Sequence, residues 1–203
     1  MNKVITICNS FIGENTFLIG EEECYIIDPG SDSKIIERKV KENFKGVKAI
    51  LLTHGHIDHV LGVDYLAEAF KCSVYLHPLD LPYIDGEYQK KYSFYGIACV
   101  LKVETIDVLK IDDPDIIIYE TPGHSKGSVC FYFKKDKILF SGDTLFCTSI
   151  GRTDLPGGSN KEMMKSLKFL KTLDDDIKVY PGHERITNLG LEKKYNPFLI
   201  QAQ

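Results

Sequence analysis

Short apolar runs bounded by Asn, Gly or Pro alternate along this chain with stretches whose apolar positions recur every three to four residues. The short runs predict strands and the longer spacing predicts helices. The predicted strands lie at about Val4–Cys8, Thr16–Ile19, Cys24–Ile27, Val47–Leu52, Ser73–Leu76, Val108–Ile111, Asp115–Glu120, Ser128–Phe133, Ile138–Ser141 and Lys178–Tyr180. The predicted helices lie at about Ser33–Asn43, Val60–Phe70 and Lys161–Leu173, with a short helix from about Leu189 and partial helix in Leu81–Glu104. Two batches of strands with interleaved helices predict an α/β protein with two sheets between helical layers.

Length and charge narrow the class of protein. The 203 residues contain no Pro-rich or Ser/Gly-rich linker, which predicts a single domain over residues 1–203. The formal net charge of −4 argues against a dedicated nucleic-acid surface. No apolar run is long enough for a membrane helix or a secretory signal, and the six cysteines are scattered, so we expect a cytoplasmic protein with reduced thiols.

The histidines carry the strongest chemical signal. Three of them and an aspartate lie within six residues, two more each follow a Pro-Gly pair, and a second aspartate follows another strand. These residues are His54, His56, Asp58, His59, His124, Asp143 and His183. Because ligand clefts in layered α/β proteins form at the carboxyl ends of strands, we expect these side chains to meet there. Imidazole and carboxylate are ligands for divalent metals, and seven of them suit two ions with positions left for water.

A structural interpretation competes with the metal interpretation for any single pair, because buried histidines are common. His77 lies between Leu76 and Pro78 with no carboxylate beside it, and we interpret it as structural. The chain contains no G-x-S-x-G elbow, P-loop or G-x-G-x-x-G, so the histidine set is the main candidate for chemistry.

Four motifs resemble those of the metallo-β-lactamase superfamily in order and spacing. They are H-x-H-x-D-H at His54–His59, TPGHSKGS at Thr121–Ser128, SGDTLF at Ser141–Phe146 and YPGHE at Tyr180–Glu184. Within that superfamily the chain is most similar to the short bacterial forms of glyoxalase II (hydroxyacylglutathione hydrolase), because it shares SIGRTDLPGGS at Ser149–Ser159 and YNPFL at Tyr195–Leu199. The resemblance implies a four-layer αββα sandwich, with two mixed sheets flanked by helices.

The resemblance also implies roles for individual residues. His54, His56 and His124 would hold one metal, Asp58, His59 and His183 the other, and Asp143 would bridge both. Asp28 would orient a ligand from beneath the site, or else be a simple turn residue before Pro29-Gly30. Arg152 would contact substrate, or else form a surface salt bridge. Only 20 residues follow His183, so we expect no C-terminal glutathione-binding helical domain.

The resulting expectation is an enzyme, a binuclear metal-dependent hydrolase that cleaves thioesters of the S-lactoylglutathione type by a metal-bound hydroxide. Asp58 would also hold or relay a proton. The ions would be two divalent metals, zinc in the first place and iron or manganese otherwise. The expected partner is a small anionic thioester, with neither nucleic acid nor membrane.

Several alternatives stay open at this point. A persulfide dioxygenase with one iron shares the fold and motifs, and a non-catalytic metal-binding domain is a third interpretation. The thiol of the substrate, the native metal, the oligomeric state and the role of residues 81–104 also stay open. Tyrosines in that segment either cover a cleft or simply pack, namely Tyr83, Tyr88, Tyr92 and Tyr95.

Overall fold

Two compact units make up the chain, Met1–Ile111 and Asp112–Gln203, and each contains one mixed sheet and its own helices. The computed structural model describes residues 2–86, 88 and 100–202. The single domain expected over residues 1–203 stays a prediction. Within the described residues, every helix is too short or too polar to cross a membrane.

The first unit is built on a six-stranded sheet whose order follows the chain, from β1 to β6. Its strands are β1 (Lys3–Cys8), β2 (Asn15–Gly20), β3 (Glu23–Ile27), β4 (Gly46–Leu51), β5 (Ser73–Leu76) and β6 (Thr105–Asp107). The first three strands pair antiparallel, and β3 to β6 pair parallel. Parallel pairing aligns the carboxyl ends of β3 and β4, which precede the candidate residues of this unit.

Helices cover the apolar residues of the first unit. They are α1 (Ser33–Asn43), α2 (Ile57–Val60), α3 (Val63–Phe70) and α4 (Leu81–Ile84). Of the apolar stripe expected on α1, Ile36 and Val40 are buried in a core that includes Ile26 and Ile50 of the sheet, whereas Ile35 is exposed. Helix α3 ends at Lys71 with a φ of 50°, a left-handed conformation that commonly terminates helices.

The second unit has a five-stranded sheet in the order β11-β10-β9-β8-β7. Its strands are β7 (Ile116–Glu120), β8 (Val129–Phe133), β9 (Ile138–Gly142), β10 (Lys178–Pro181) and β11 (Thr187–Asn188), and its helices are α5 (Asn160–Leu170), α6 (Leu189–Tyr195) and α7 (Pro197–Gln201). Strand β8 runs antiparallel to both β7 and β9, and β10 runs parallel to β9. Strands β7, β9 and β10 therefore run in the same direction and end at the same edge of the sheet.

Two predicted elements were wrong in detail. The helix expected over Val60–Phe70 is divided into α2 and α3, because the chain at Gly62 passes so close to the Pro29-Gly30 turn that a Cβ there would lie 2.7 Å from a carbonyl oxygen. The strand expected at Val108–Ile111 is a 3₁₀ turn at Val108–Lys110, since the Asp107 carboxylate accepts the Leu109 N–H at 3.0 Å and favours a turn.

The partly helical interpretation of Leu81–Glu104 holds for α4. Residues 87 and 89–99, which include Tyr92 and Tyr95, lie outside the described part of the chain.

Candidate metal centre

The H-x-H-x-D-H motif lies in the first unit, between the end of β4 and helix α2. His54 and His59 are buried, and His56 is partly exposed. The ring centroids of His54 and His56 are 4.7 Å apart, and those of His54 and His59 are 4.1 Å apart. The structure thus brings the three imidazoles together, as the motif predicted.

Asp28 lies directly beneath this cluster, at the end of β3. Its Oδ2 is 3.1 Å from Nδ1 of His59, and its carboxylate accepts the backbone N–H of Thr53 at 2.7 Å and the Thr53 hydroxyl at 2.6 Å. A carboxylate that accepts the Nδ1–H of a histidine leaves Nε2 as the metal-binding atom. Asp28 is thus more than a turn residue, although its φ of 48° and the following Pro29 also form a turn.

Donor atoms of Asp28, His54 and His59 lie within 4.8 Å of one another. Next to them, Nε2 of His59 lies 3.5 Å from Oδ2 of Asp58. His54, Asp58 and His59 thus have the chemistry of divalent-cation ligands, and Asp28 supports the His59 ring through Nδ1.

Glu14 is a second buried acid near His59 that the sequence analysis missed. It is 1% exposed, its Oε1 lies 3.9 Å from Nδ1 of His59, and its Oε2 accepts the Asn9 amide at 2.6 Å. A Cβ at Gly30 would lie 2.2 Å from Glu14 Oε2, so the turn at Gly30 is packed directly on this carboxylate. One clue to a buried Glu14 was its place directly before β2, a strand whose six residues are all buried.

Asp80 and Tyr83 contact Gly55 and His56 of the H-x-H-x-D-H motif. The fully buried Asp80 accepts the Gly55 N–H at 3.0 Å, and the Tyr83 ring meets the His56 ring edge-on at 4.7 Å. Burial raises the pKa of the Tyr83 phenol, so it stays protonated. A Cβ at Gly55 would lie 2.9 Å from the Asp80 carbonyl oxygen, which leaves room only for glycine there. No sequence motif indicated these contacts.

The roles expected for two other residues of the first unit can be compared with their positions. His77 accepts the Leu79 N–H at 3.2 Å and caps the 3₁₀ turn Pro78–Asp80, in agreement with a structural role. Tyr83 and Tyr88 contact each other at 4.8 Å between ring centroids. That the tyrosines cover a cleft stays a prediction.

Three candidate ligands lie in the second unit, each after a strand that ends at the same sheet edge. His124 follows β7, Asp143 directly follows β9, and His183 follows β10. Oδ2 of Asp143 lies 3.4 Å from Nε2 of His124 and 3.7 Å from Nε2 of His183. One carboxylate oxygen therefore faces the Nε2 atoms of two imidazoles.

These separations are characteristic of ligands that share an ion. N–H···O hydrogen bonds are typically about 2.7–3.2 Å long. Tetrahedral ligands with metal bonds of about 2.0–2.2 Å lie about 3.3–3.6 Å apart. The Asp143–His124 distance of 3.4 Å and the Asp58–His59 distance of 3.5 Å both lie in the second range, and the Asp143–His183 distance of 3.7 Å lies slightly above it. The donors of each unit therefore have the chemistry and spacing of divalent-metal ligands.

The backbone around Gly151 orients His124. Nδ1 of His124 lies 2.7 Å from the carbonyl oxygen of Arg152, so it donates to that oxygen and leaves Nε2 for a metal. A Cβ at Gly151 would lie 1.9 Å from the carbonyl oxygen of Asp143. The loop after Gly151 is thus packed directly against both candidate ligands.

The Arg152 side chain forms the surface salt bridge that was the alternative to substrate contact. Its Nε and Nη2 both donate to the Asp154 carboxylate at 2.6 Å, and both side chains are more than half exposed. The guanidinium lowers the pKa of Asp154 to about 2. Substrate contact by Arg152 stays a prediction.

The family model for the metallo-beta-lactamase superfamily matches residues 10–183. The chain belongs to this superfamily. Among curated relatives, it is 36% identical over 190 residues to the probable metallo-hydrolase YqgX of Bacillus subtilis, covering 90% of each chain. It is 33% identical over 196 residues to the hydroxyacylglutathione hydrolase GloC of Haemophilus influenzae, covering 92% of each.

Several solved structures have the same fold. BLEG-1, a B3 metallo-beta-lactamase, superposes with a TM-score of 0.88 at 32% identity over 97% of this chain and 99% of its own. TTHA1623 in a di-iron-bound form superposes with a TM-score of 0.83 at 37% identity, over 96% of this chain and 99% of its own. ETHE1 from Myxococcus xanthus gives 0.71 at 25% identity, over 96% and 83%.

These comparisons confirm the predicted family, with its glyoxalase II-like relatives, and the fold of two mixed sheets flanked by helices. The superfamily is one of metallo-hydrolases, so a metal-dependent hydrolase is supported as the class of enzyme. Its histidine-rich ligands indicate divalent metals, and the di-iron-bound relative leaves zinc as one candidate among them.

Proposed function

We propose that the seven candidate residues together hold two divalent ions and that the protein hydrolyses thioesters of the S-lactoylglutathione type. In this proposal His54, His56 and His124 bind one ion, Asp58, His59 and His183 bind the other, and Asp143 bridges them. The observation that carries it is the spacing of the donors, above all the Asp143 oxygen at 3.4 and 3.7 Å from two imidazole nitrogens. The 33% identity to a hydroxyacylglutathione hydrolase supports the choice of thioester.

Bound divalent ions would lower the pKa of a water molecule and polarise a carbonyl group. The protein's own residues contribute orientation and charge. Asp28 and the Arg152 carbonyl oxygen accept Nδ1–H from His59 and His124, so both rings present Nε2. Asp58 is largely buried beside His59, where its carboxylate can hold or relay a proton.

The charge of the ligand set favours an anionic substrate. Two divalent cations exceed the charge of Asp58 and Asp143, so the loaded site carries a net positive charge. A small anionic thioester is accordingly the partner we propose, rather than a nucleic acid or a membrane, in a cytoplasmic enzyme.

A persulfide dioxygenase with a single iron is the second candidate. Likeness to ETHE1 over 96% of the chain favours it over other reactions. It differs from the first candidate in metal stoichiometry and in its use of oxygen.

Elemental analysis of the purified protein, coupled to assays of the same sample, tests the proposal. We expect two ions per chain and release of free thiol from S-D-lactoylglutathione. One iron per chain with oxygen uptake on a persulfide would support the second candidate. Hydrolysis of a β-lactam alone, or bound metal without turnover of any of these compounds, would contradict the proposal.

A pair of histidine variants provides the matched comparison. His59→Ala should lose metal and activity, because His59 is placed among the ligands. His77→Ala removes another buried ring, one that caps a 3₁₀ turn and is not among the proposed ligands, and it should keep its metal. Equal loss of metal in both variants would contradict the ligand assignment.

A further inference from the structure

Glu192, on helix α6, is a buried acid that the proposed chemistry does not use. It is 1% exposed. Its Oε2 accepts the Thr148 N–H at 2.8 Å and the Asn196 amide at 2.9 Å, and its Oε1 accepts the Thr187 hydroxyl at 2.6 Å. Burying a carboxylate is unfavourable unless hydrogen bonds replace its water, and here three donors do so.

The donors come from the two segments that follow candidate metal ligands. Thr148 lies in the tight turn Phe146–Ser149, which begins three residues after Asp143 and is closed by a 3.0 Å hydrogen bond from the Phe146 N–H to the Ser149 carbonyl oxygen. Thr148 itself has a φ of 59°, the left-handed region that disfavours residues other than glycine. Its N–H bond to Glu192 stabilises this conformation.

Thr187 lies in the other segment, four residues after His183, at the start of β11. Glu192 therefore joins the chain after Asp143 to the chain after His183 through one side chain. The short length of both segments means that a shift of either bond partner is passed on to the neighbouring ligand.

Asn196, one helical turn after Glu192, completes the contact. Its Oδ1 accepts the Phe198 and Leu199 N–H groups and caps α7, which fixes the orientation of the amide. Its Nδ2 then donates to Glu192 and, at 3.0 Å, to the Ser149 carbonyl oxygen. Asn196 thus holds both Glu192 and the turn that contains Thr148.

We infer that Glu192 is a positioning residue. The backbone bond from the Gly182 N–H to the Gly142 carbonyl oxygen, 2.9 Å, already sets where the chain enters Asp143 and His183, and Glu192 fixes how the two ligands are oriented by tying together the segments that follow them. This inference rests on the proposed function, in which both residues bind metal. Glutamine can replace the acid with little change in geometry. Its amide oxygen still accepts from Thr148 and Asn196, and its NH₂ group donates to the Thr187 hydroxyl, which can act as acceptor.

Metal titration of four variants tests the inference. Glu192→Ala should raise the apparent Kd for Zn²⁺, measured by competition with a chelator, at least about tenfold. It should also change the visible spectrum of the Co²⁺-loaded protein. Glu192→Gln should retain the wild-type Kd and spectrum, which would identify geometry rather than charge as the contribution.

Two further variants separate positioning from general stability. Val40→Ala removes a buried side chain of α1 from the core of the first unit, which contains neither segment, so it should lower Tm and leave the Kd unchanged. Thr187→Val keeps the side-chain shape and removes one donor to Glu192, so it should raise the Kd. This variant tests the inference if Glu192→Ala does not fold.

An unchanged Kd and Co²⁺ spectrum in Glu192→Ala or, where that variant does not fold, an unchanged Kd in Thr187→Val would overturn the inference. An equal rise in Kd in Val40→Ala would overturn it as well, since the effect would then follow stability. If wild-type protein binds no metal in the same titration, the proposed function fails instead.

Discussion

Replacing Gly151 with alanine perturbs two candidate ligands by a single methyl group. The Cβ would lie 1.9 Å from the Asp143 carbonyl oxygen and 3.0 Å from Nδ1 of His124. Real Cβ atoms essentially never approach closer than 3.0 Å, so the two segments must separate by about 1.1 Å. The obstacle is backbone, and no side-chain rotation relieves it. Because the φ of Gly151 lies outside the left-handed region, the effect is steric and not a strain of alanine itself.

The expected magnitude follows from the tolerance of metal sites. Metal–ligand distances vary by only about 0.2 Å, several times less than the required shift. We therefore expect Gly151→Ala to weaken metal binding about 10- to 100-fold. Overpacking of this kind also lowers the free energy of unfolding by about 1–3 kcal/mol.

Chelator competition with Zn²⁺ measures the first quantity and urea denaturation of metal-free protein the second. Gly46→Ala is the control, because its Cβ would meet only the flexible Glu23 side chain, at 3.1 Å. It should bind metal as the wild type does. Wild-type affinity in Gly151→Ala would refute the reasoning, since it would mean that the loop moves without moving Asp143 or His124.

Three further predictions concern other residues. Asp58→Ala and His59→Ala should each lower turnover by roughly a hundredfold or more and reduce metal content toward one ion per chain, and unchanged turnover in either would contradict the binuclear assignment. Arg152→Ala should keep its metal, because the main-chain carbonyl that orients His124 remains, but should raise KM for an anionic thioester; loss of metal would assign the residue a different role. Asp80→Ala should lower the free energy of unfolding by about 1–3 kcal/mol and weaken metal binding, because it leaves the buried Gly55 N–H without its acceptor. Asp80→Asn, which keeps an acceptor oxygen, should retain much of the stability and much of the metal affinity.

Much of the fold follows from local sequence patterns. Helix α1 and strand β5 were predicted with their observed bounds, Ser33–Asn43 and Ser73–Leu76, because apolar periodicity and flanking turn residues agree there. The short strand β11 and helix α7 were missed, since two and five residues are too few to show a period. The apolar run at Val108 predicted a strand, but the Asp107 carboxylate before it accepts the Leu109 N–H and stabilises a turn instead.

The candidate ligands were also predictable, because each follows a strand within a recognisable motif. Their supporting residues were not. Asp80 meets Gly55 across 25 positions of sequence, and Glu192 meets Thr148 across 44. An acid that will be buried against a distant backbone group looks, in the sequence, like any surface acid. Such contacts depend on the three-dimensional arrangement and leave no local pattern.

Parallel pairing of β9 with β10 has a consequence for how relatives of this protein can diverge. The register Leu139 to Val179 fixes the exits of the two strands whatever the length or composition of the chain between them. Insertions and substitutions in the part of that crossover after Arg152 can therefore alter which compounds the proposed site admits, while Asp143 and His183 stay in place. In this architecture, evolution can keep one set of candidate metal ligands and change the substrate.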